Sequence, residues 1–202
     1  MAIKFQYNKT SLQDLNKQLK IRVRALPTIK NKESALRLEV KKAKKLLEVK
    51  SIQYKEREKQ YSSLLGLYNE FPENMINIKD IILSHKKVAG VKTPILEDIT
   101  FNIQRFNLFN APSWLSDGLF FMQEMIKLNM EMKIIREMIV LLEYARKKTT
   151  QKVNLYEKVQ IPGYENAIRK IKRFLEDEEN LSKSSMKIVK SRQQKELEEA
   201  GL

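Results

Sequence analysis

A chain of 202 residues falls within the usual size of one domain and leaves little room for two separate cores. It has no cysteine, and the opening MAIKFQYNKT lacks the apolar stretch of a secretion signal, so a disulfide scaffold and an exported protein are not expected and a cytoplasmic one is. Lysine and arginine number 39 against 25 acidic residues, a formal charge of +14 that favours an acidic partner, whether nucleic acid, anionic lipid or an acidic protein surface.

The charge is unevenly spread. Residues 1–60 carry 17 positive and 6 negative side chains, residues 61–145 carry 8 and 10, and residues 146–202 carry 14 and 9, so both ends are basic and the middle is not. The longest uncharged candidate for a membrane span, Phe106 to Ser116, contains Pro112 and two asparagines and is far below the ~18 residues a span needs.

Five glycines and five prolines leave few stopping points, which predicts a small number of very long helices. The first begins near Asn8 or Thr10, either of which can cap it. From Leu12 onward a heptad repeat holds its phase: one position reads Leu12, Leu19, Leu26, Glu33, Val40, Leu47, Tyr54, Tyr61, Tyr68, and the other Leu15, Arg22, Ile29, Leu36, Ala43, Lys50, Arg57, Leu64, Phe71. All but Glu33, Arg22, Lys50 and Arg57 are apolar or tyrosine, the pattern of a left-handed supercoil against a partner helix. Pro27 should bend or break the helix near Val23 to Leu26 unless a fresh turn starts there, and Phe71-Pro72 should close it.

Residues 75–110 lose the helical period and gain β-formers, which predicts a hairpin with strands at about 86–92 and 97–106 that must pack on something else to be stable. The second helical run starts between Pro112 and Asp117 and continues to about Leu197, over eighty residues, or on the order of 120 Å, which predicts an elongated molecule. Its early seam is Phe121, Met125, Leu128, Met132, Ile135, Ile139, Leu142; its later seam, Ile161, Tyr164, Ile168, Ile171, Leu175, is one residue out of phase. The slip falls between Thr149 and Pro162, where a kink or a change of supercoil is expected. The fold class is therefore mainly α, an elongated antiparallel two-helix coiled coil with a small central β-hairpin and short-helix region. Its divisions are 1–72 for the first helix, 73–112 for the central region and 113–202 for the long second helix. If Leu12 faces Leu197, the acidic run Glu176, Asp177, Glu178, Glu179 lies opposite Lys30 and Lys32.

Catalytic chemistry is hard to place on this chain. Gly66, Gly90, Gly118, Gly163 and Gly201 are too scattered for a phosphate-binding loop, and one histidine, His85, without any cysteine offers no zinc set and no histidine-dependent nucleophile. His85 reads as a solvated loop residue, and no catalytic, cofactor or metal site is expected. The four consecutive acids point to different faces of a helix and read as a solvated band.

Two groups are candidates for partner contact. Met122, Met125, Met130, Met132 and Met138 lie in a segment too apolar for one seam, and are either packing under the hairpin or an adaptable surface for a second protein. Lys41, Lys42, Lys44 and Lys45 form the densest basic cluster. Tyr54, Tyr61, Tyr68 and Trp114 read as core rather than recognition residues.

Four stretches, in order, carry a family resemblance: the opening NKTSLQDLNKQLKIRVRALPTIKNKESAL with Lys30, Lys32 and Leu36; VAGVKTPIL, Val88 to Leu96; KVNLYEKVQIP, Lys152 to Pro162; and the closing helix with Ile168, Ile171, Leu175, the acidic cluster and Lys187 to Lys190. Together they resemble the D-subunit family of V/A-type rotary ATPases, whose members form the central rotor stalk. The chain departs from that pattern at Gln151-Lys152, at Leu155-Tyr156 and at Pro27.

The resemblance implies a non-catalytic component of an ATP-driven proton or sodium pump, attached to the membrane only through its complex. Its implied partners are the catalytic and regulatory nucleotide-binding subunits of a hexamer, the small F-type stalk protein and the protein capping the membrane ring. A basic coiled-coil scaffold or nucleic-acid-binding protein is the competing reading, weakened for nucleic acid by the lack of aromatics among the lysine clusters.

Overall fold

The computed structural model describes residues 3–62, 71, 75–106 and 112–199. Helix α1 covers Lys9–Gln60, strands β1 and β2 cover Ile76–Val88 and Val91–Ile103, and helix α2 covers Trp114–Asn154. A six-residue π-helical segment, Leu155–Gln160, joins α2 to helix α3, Ile161–Glu199. The fold is thus mainly helical, with two long helical runs and one antiparallel hairpin between them. Leu64, Tyr68 and Pro72, where the first run should end, lie outside the described residues.

The chain divides into two compact units, one of residues 1–31 with 150–202 and one of residues 32–149. In the first, Leu15 is buried with Ala167, Ile168 and Ile171, and Leu12, Leu19, Tyr164 and Leu175 close around them. Arg22 reaches Gln160 and Lys30 reaches Glu157, so numbers rise along α1 as they fall along its partner, and the pairing is antiparallel. Asn8 caps α1 by accepting the Ser11 N–H at 2.7 Å, as its residue type allows. Ahead of the cap, Ile3 and Phe5 pack on the same cluster and Tyr7 lies 4.9 Å from Phe174, a cover that no periodicity in so short a segment announces.

In the second unit, Leu36, Val40 and Ala43 of α1 are buried against Ile135, Ile139 and Leu142 of α2, again antiparallel. Val88, Ala89 and Val91 at the hairpin tip pack on this cluster. At the hairpin base the Gln104 N–H donates to the Met75 carbonyl, and Met75 is buried with Leu115 and Leu119 under Phe71, Phe106 and Trp114. The hairpin thus finds the support an isolated one lacks.

The seam expected in α1 is the buried face: from Leu12 to Tyr61 every seam position except Arg57 is buried or half-buried. Pro27 neither ends nor interrupts α1. It sits on the exposed face, where water can satisfy the carbonyl that loses its helical donor.

The phase slip is real, and its physical form is the π segment. The Ile161 N–H donates to the Tyr156 carbonyl five residues back, and each widened turn of this kind absorbs one extra residue. Half-buried positions accordingly run 146, 149, 153, 156, 160, 164, with two four-residue steps in succession where a heptad would alternate four and three. Pro162 follows at once. It has no N–H to donate and its ring would crowd the carbonyl four residues back, so a widened turn just before it relieves both conflicts.

Two expectations are corrected. The strands are longer than foreseen and the turn lies at Ala89 and Gly90, whose φ angles of 49° and 81° are both left-handed, so 86–92 spans a tight turn rather than a strand. Valine on either side hid that turn, because only Gly90 marks it in the sequence. His85 is consequently a strand residue, exposed and paired with Pro94.

The helix register also differs: Lys30 pairs with Glu157, the space facing Gly90 holds the Lys32 ammonium, and the acidic residues Glu176, Glu178 and Glu179 line a groove with Tyr7, Lys9 and Leu12. The alignment is displaced by roughly six turns of helix from the one that put Leu12 opposite Leu197. Both alignments match heptad to heptad, which is why periodicity alone could not choose.

Candidate partner-binding surface

The four lysines flank Ala43, which is buried in the seam, and helical geometry therefore turns Lys41, Lys42, Lys44 and Lys45 outward. Two of them are engaged: Lys42 pairs with Glu39 on its own helix at 2.8 Å, and Lys44 pairs across the helices with Glu143 at 2.5 Å. The Lys44 hydrogen bond first, and its charge with that of Arg146, hold the Glu143 carboxyl below the usual range against a small opposing effect of burial. Lys41 and Lys45 make no ion pair among the described residues.

The methionines are dispersed in role. Met132 is buried, Met138 is packed on the central cluster, and Met122 and Met125 line a shallow groove with Tyr54, Glu58, Phe121 and Ile126. Met130 is half-buried. The excess apolar character of this segment emerges elsewhere, in Phe120, Val140 and Tyr144, each at least 60% exposed. Sequence reasoning passed over these three, although a count of apolar residues outside the seam would have found them. Tyr61 stacks on Phe121 at 4.2 Å and Trp114 lies 6.0 Å from Phe71, so both are packing residues.

Three of the four polar exceptions in the α1 heptad meet a polar partner on the returning helix. Arg22 donates to Gln160 at 2.8 Å, Lys50 lies 2.6 Å from Glu131, and Arg57 lies 3.6 Å from Glu124. Their signal in the sequence was the charge at an apolar position, but the acceptors belong to a segment about 70 to 140 residues away, and no local pattern names them. Glu33, the fourth, accepts from Arg37 one turn on.

Among the described residues no group of three or more histidines, aspartates or glutamates is placed to hold a metal, and no helix is long and apolar enough to cross a membrane. The class these features define is a paired-helix interaction protein, with its apolar seam closed internally and charged faces turned outward.

Comparison with known proteins is specific. Residues 11–191 match the family of ATP synthase D subunits, and the chain belongs to that family. It is 31% identical over 190 residues to a V-type ATP synthase D subunit of Borreliella burgdorferi, covering 93% of this chain and 94% of that one. It is 26% identical over 203 residues to the protein of that name from Chlamydia trachomatis serovar L2, covering 98% and 100%. The corresponding Chlamydia pneumoniae protein is 27% identical over 198 residues, covering 95% and 94%.

Proposed function

We propose that this chain is the central rotor stalk of a V/A-type rotary ATPase, transmitting torque between an ATP-hydrolysing hexamer and a membrane ring that moves protons or sodium ions. The observation that carries the reading is the family match over residues 11–191, nearly the whole chain. The closed apolar seam supports it mechanically, since two supercoiled helices resist twisting better than one.

In this role the chain hydrolyses nothing itself. The segments 1–72 and 113–202 form the shaft and 73–112 its shoulder. The partners are the catalytic and regulatory nucleotide-binding subunits of the hexamer, the small F-type stalk protein and the ring-capping protein. Lys41, Lys42, Lys44 and Lys45 supply hydrated, exchangeable charge suited to a surface that must change neighbours as it turns. Met122, Met125, Met130, Met132 and Met138, joined by the more exposed Phe120, Val140 and Tyr144, mark the side of α2 for a stably bound neighbour.

Reconstitution tests the assignment. A complex assembled without this chain should hydrolyse ATP with no accompanying ion transport, and adding the chain should restore the coupling. A complex that couples fully in its absence overturns the proposal. Replacing the four lysines by glutamine should lower coupling in the assembled complex, and unchanged coupling would remove them from the working surface.

A further inference from the structure

An uninterrupted apolar heptad accepts a partner displaced by seven residues nearly as well as the native one, because leucine meets leucine in either alignment. The polar seam positions of α1 are where such displaced alignments could be rejected. In the unit of residues 32–149, they do not suffice. Moving the partner helix by one heptad brings Lys50 opposite Glu124 in place of Glu131, and Arg57 opposite Asp117 in place of Glu124, so both cations keep an acidic partner.

In the other unit the same displacement is not neutral. It sets Arg22 against Val153 in place of Gln160. In the native alignment the Arg22 guanidinium is fully engaged: Nε donates to Gln160 Oε1 at 2.8 Å, Nη1 donates to Gln18 Oε1 at 2.6 Å and to the Gln18 carbonyl at 3.1 Å, and the group lies 4.6 Å from the centre of the Tyr164 ring. Gln160 is the last residue of the π segment, and Tyr164 follows one step of four later. The widened turn is thus what brings an acceptor and an aromatic face to the same arginine.

We propose that Arg22, seated against the π segment through Gln160 and Tyr164, selects the register of the antiparallel helix pair. It acts as a positioning residue: the apolar seam supplies the adhesion, and Arg22 decides between alignments that the seam and the other two cations leave nearly equal. The proposal does not depend on the rotor reading, so its failure and that of the rotor assignment are separable.

The chain lacks cysteine, which makes thiol cross-linking a clean probe of register in the full-length protein. Lys30→Cys with Glu157→Cys reports the native alignment, in which these side chains touch at 2.8 Å, and Lys30→Cys with Thr150→Cys reports the displaced one. With Arg22 present, a short bifunctional thiol reagent should link the first pair and scarcely the second.

Arg22→Leu should raise the yield of the second pair relative to the first by about tenfold, the factor associated with losing one hydrogen bond to a charged group. Gln160→Leu should act in the same direction, and Arg22→Lys, which keeps the charge but not the fork, should fall between. A ratio unmoved by Arg22→Leu overturns the proposal. So does loss of helical circular dichroism in both Arg22→Leu and Gln160→Leu, because these contacts would then be needed for folding and not for choosing a register.

Discussion

Single side chains at the seam hold the largest individual shares of stability. Leu36, Leu142 and Ile171 are at most 1% exposed, so truncating any of them removes an apolar group and leaves a cavity in its place. Leu36→Ala and Ile171→Ala should each cost about 2–5 kcal/mol, read as a lower midpoint in denaturant unfolding. The surface ion pairs are worth far less. Glu143, held below its ordinary value by Lys44, contributes stability that is present above the unfolded-state pKa and is lost as pH falls through the lower folded value. Glu143→Gln should therefore lower the melting temperature slightly at pH 7, by the equivalent of at most about 1 kcal/mol, and the difference should vanish below about pH 3. A difference that grows toward acid would reverse the sign assigned to this pair.

At the level of elements, the π segment and the hairpin turn make separate predictions. Deleting the exposed Lys158 should convert the π segment to regular helix and join the two seams into one unbroken heptad, so the variant should keep its helicity and melt within a few degrees of the parent. Deleting the equally exposed Lys170, in regular helix between the buried Ile168 and Ile171, should instead rotate every later seam residue by about 100° and lower the melting temperature markedly. Equal outcomes for the two deletions would remove the link between the π segment and the phase slip. In the hairpin, a Cβ added at Gly90 would meet only the Lys32 ammonium, at an ordinary 3.5 Å, so the cost of Gly90→Ala comes from its φ of 81°. About 1 kcal/mol is expected, measured by thermal unfolding.

For the molecule as a whole, the two compact units have separate buried clusters, one around Leu36 and Leu142 and one around Leu15 and Ile171. The losses caused by Leu36→Ala and Ile171→Ala should therefore add to within about 0.5 kcal/mol in the double variant; a larger coupling would mean the clusters share a packing constraint. Much of this organisation was legible in advance. The heptad of α1, the two phases of the second run and the slip between them are periodic features, and periodicity is local, so the sequence alone determined which faces are buried and that a residue had to be absorbed between Thr149 and Pro162. Register, by contrast, is a relation between segments far apart in the chain. Heptads match heptads in several alignments, and only tertiary structure decided that Lys30 meets Glu157 and that Arg22 meets Gln160. The same holds for the exposed residues around Val140 and Tyr144: hydrophobicity is written in the sequence, but which apolar side chains remain uncovered depends on how much surface one partner helix can occlude.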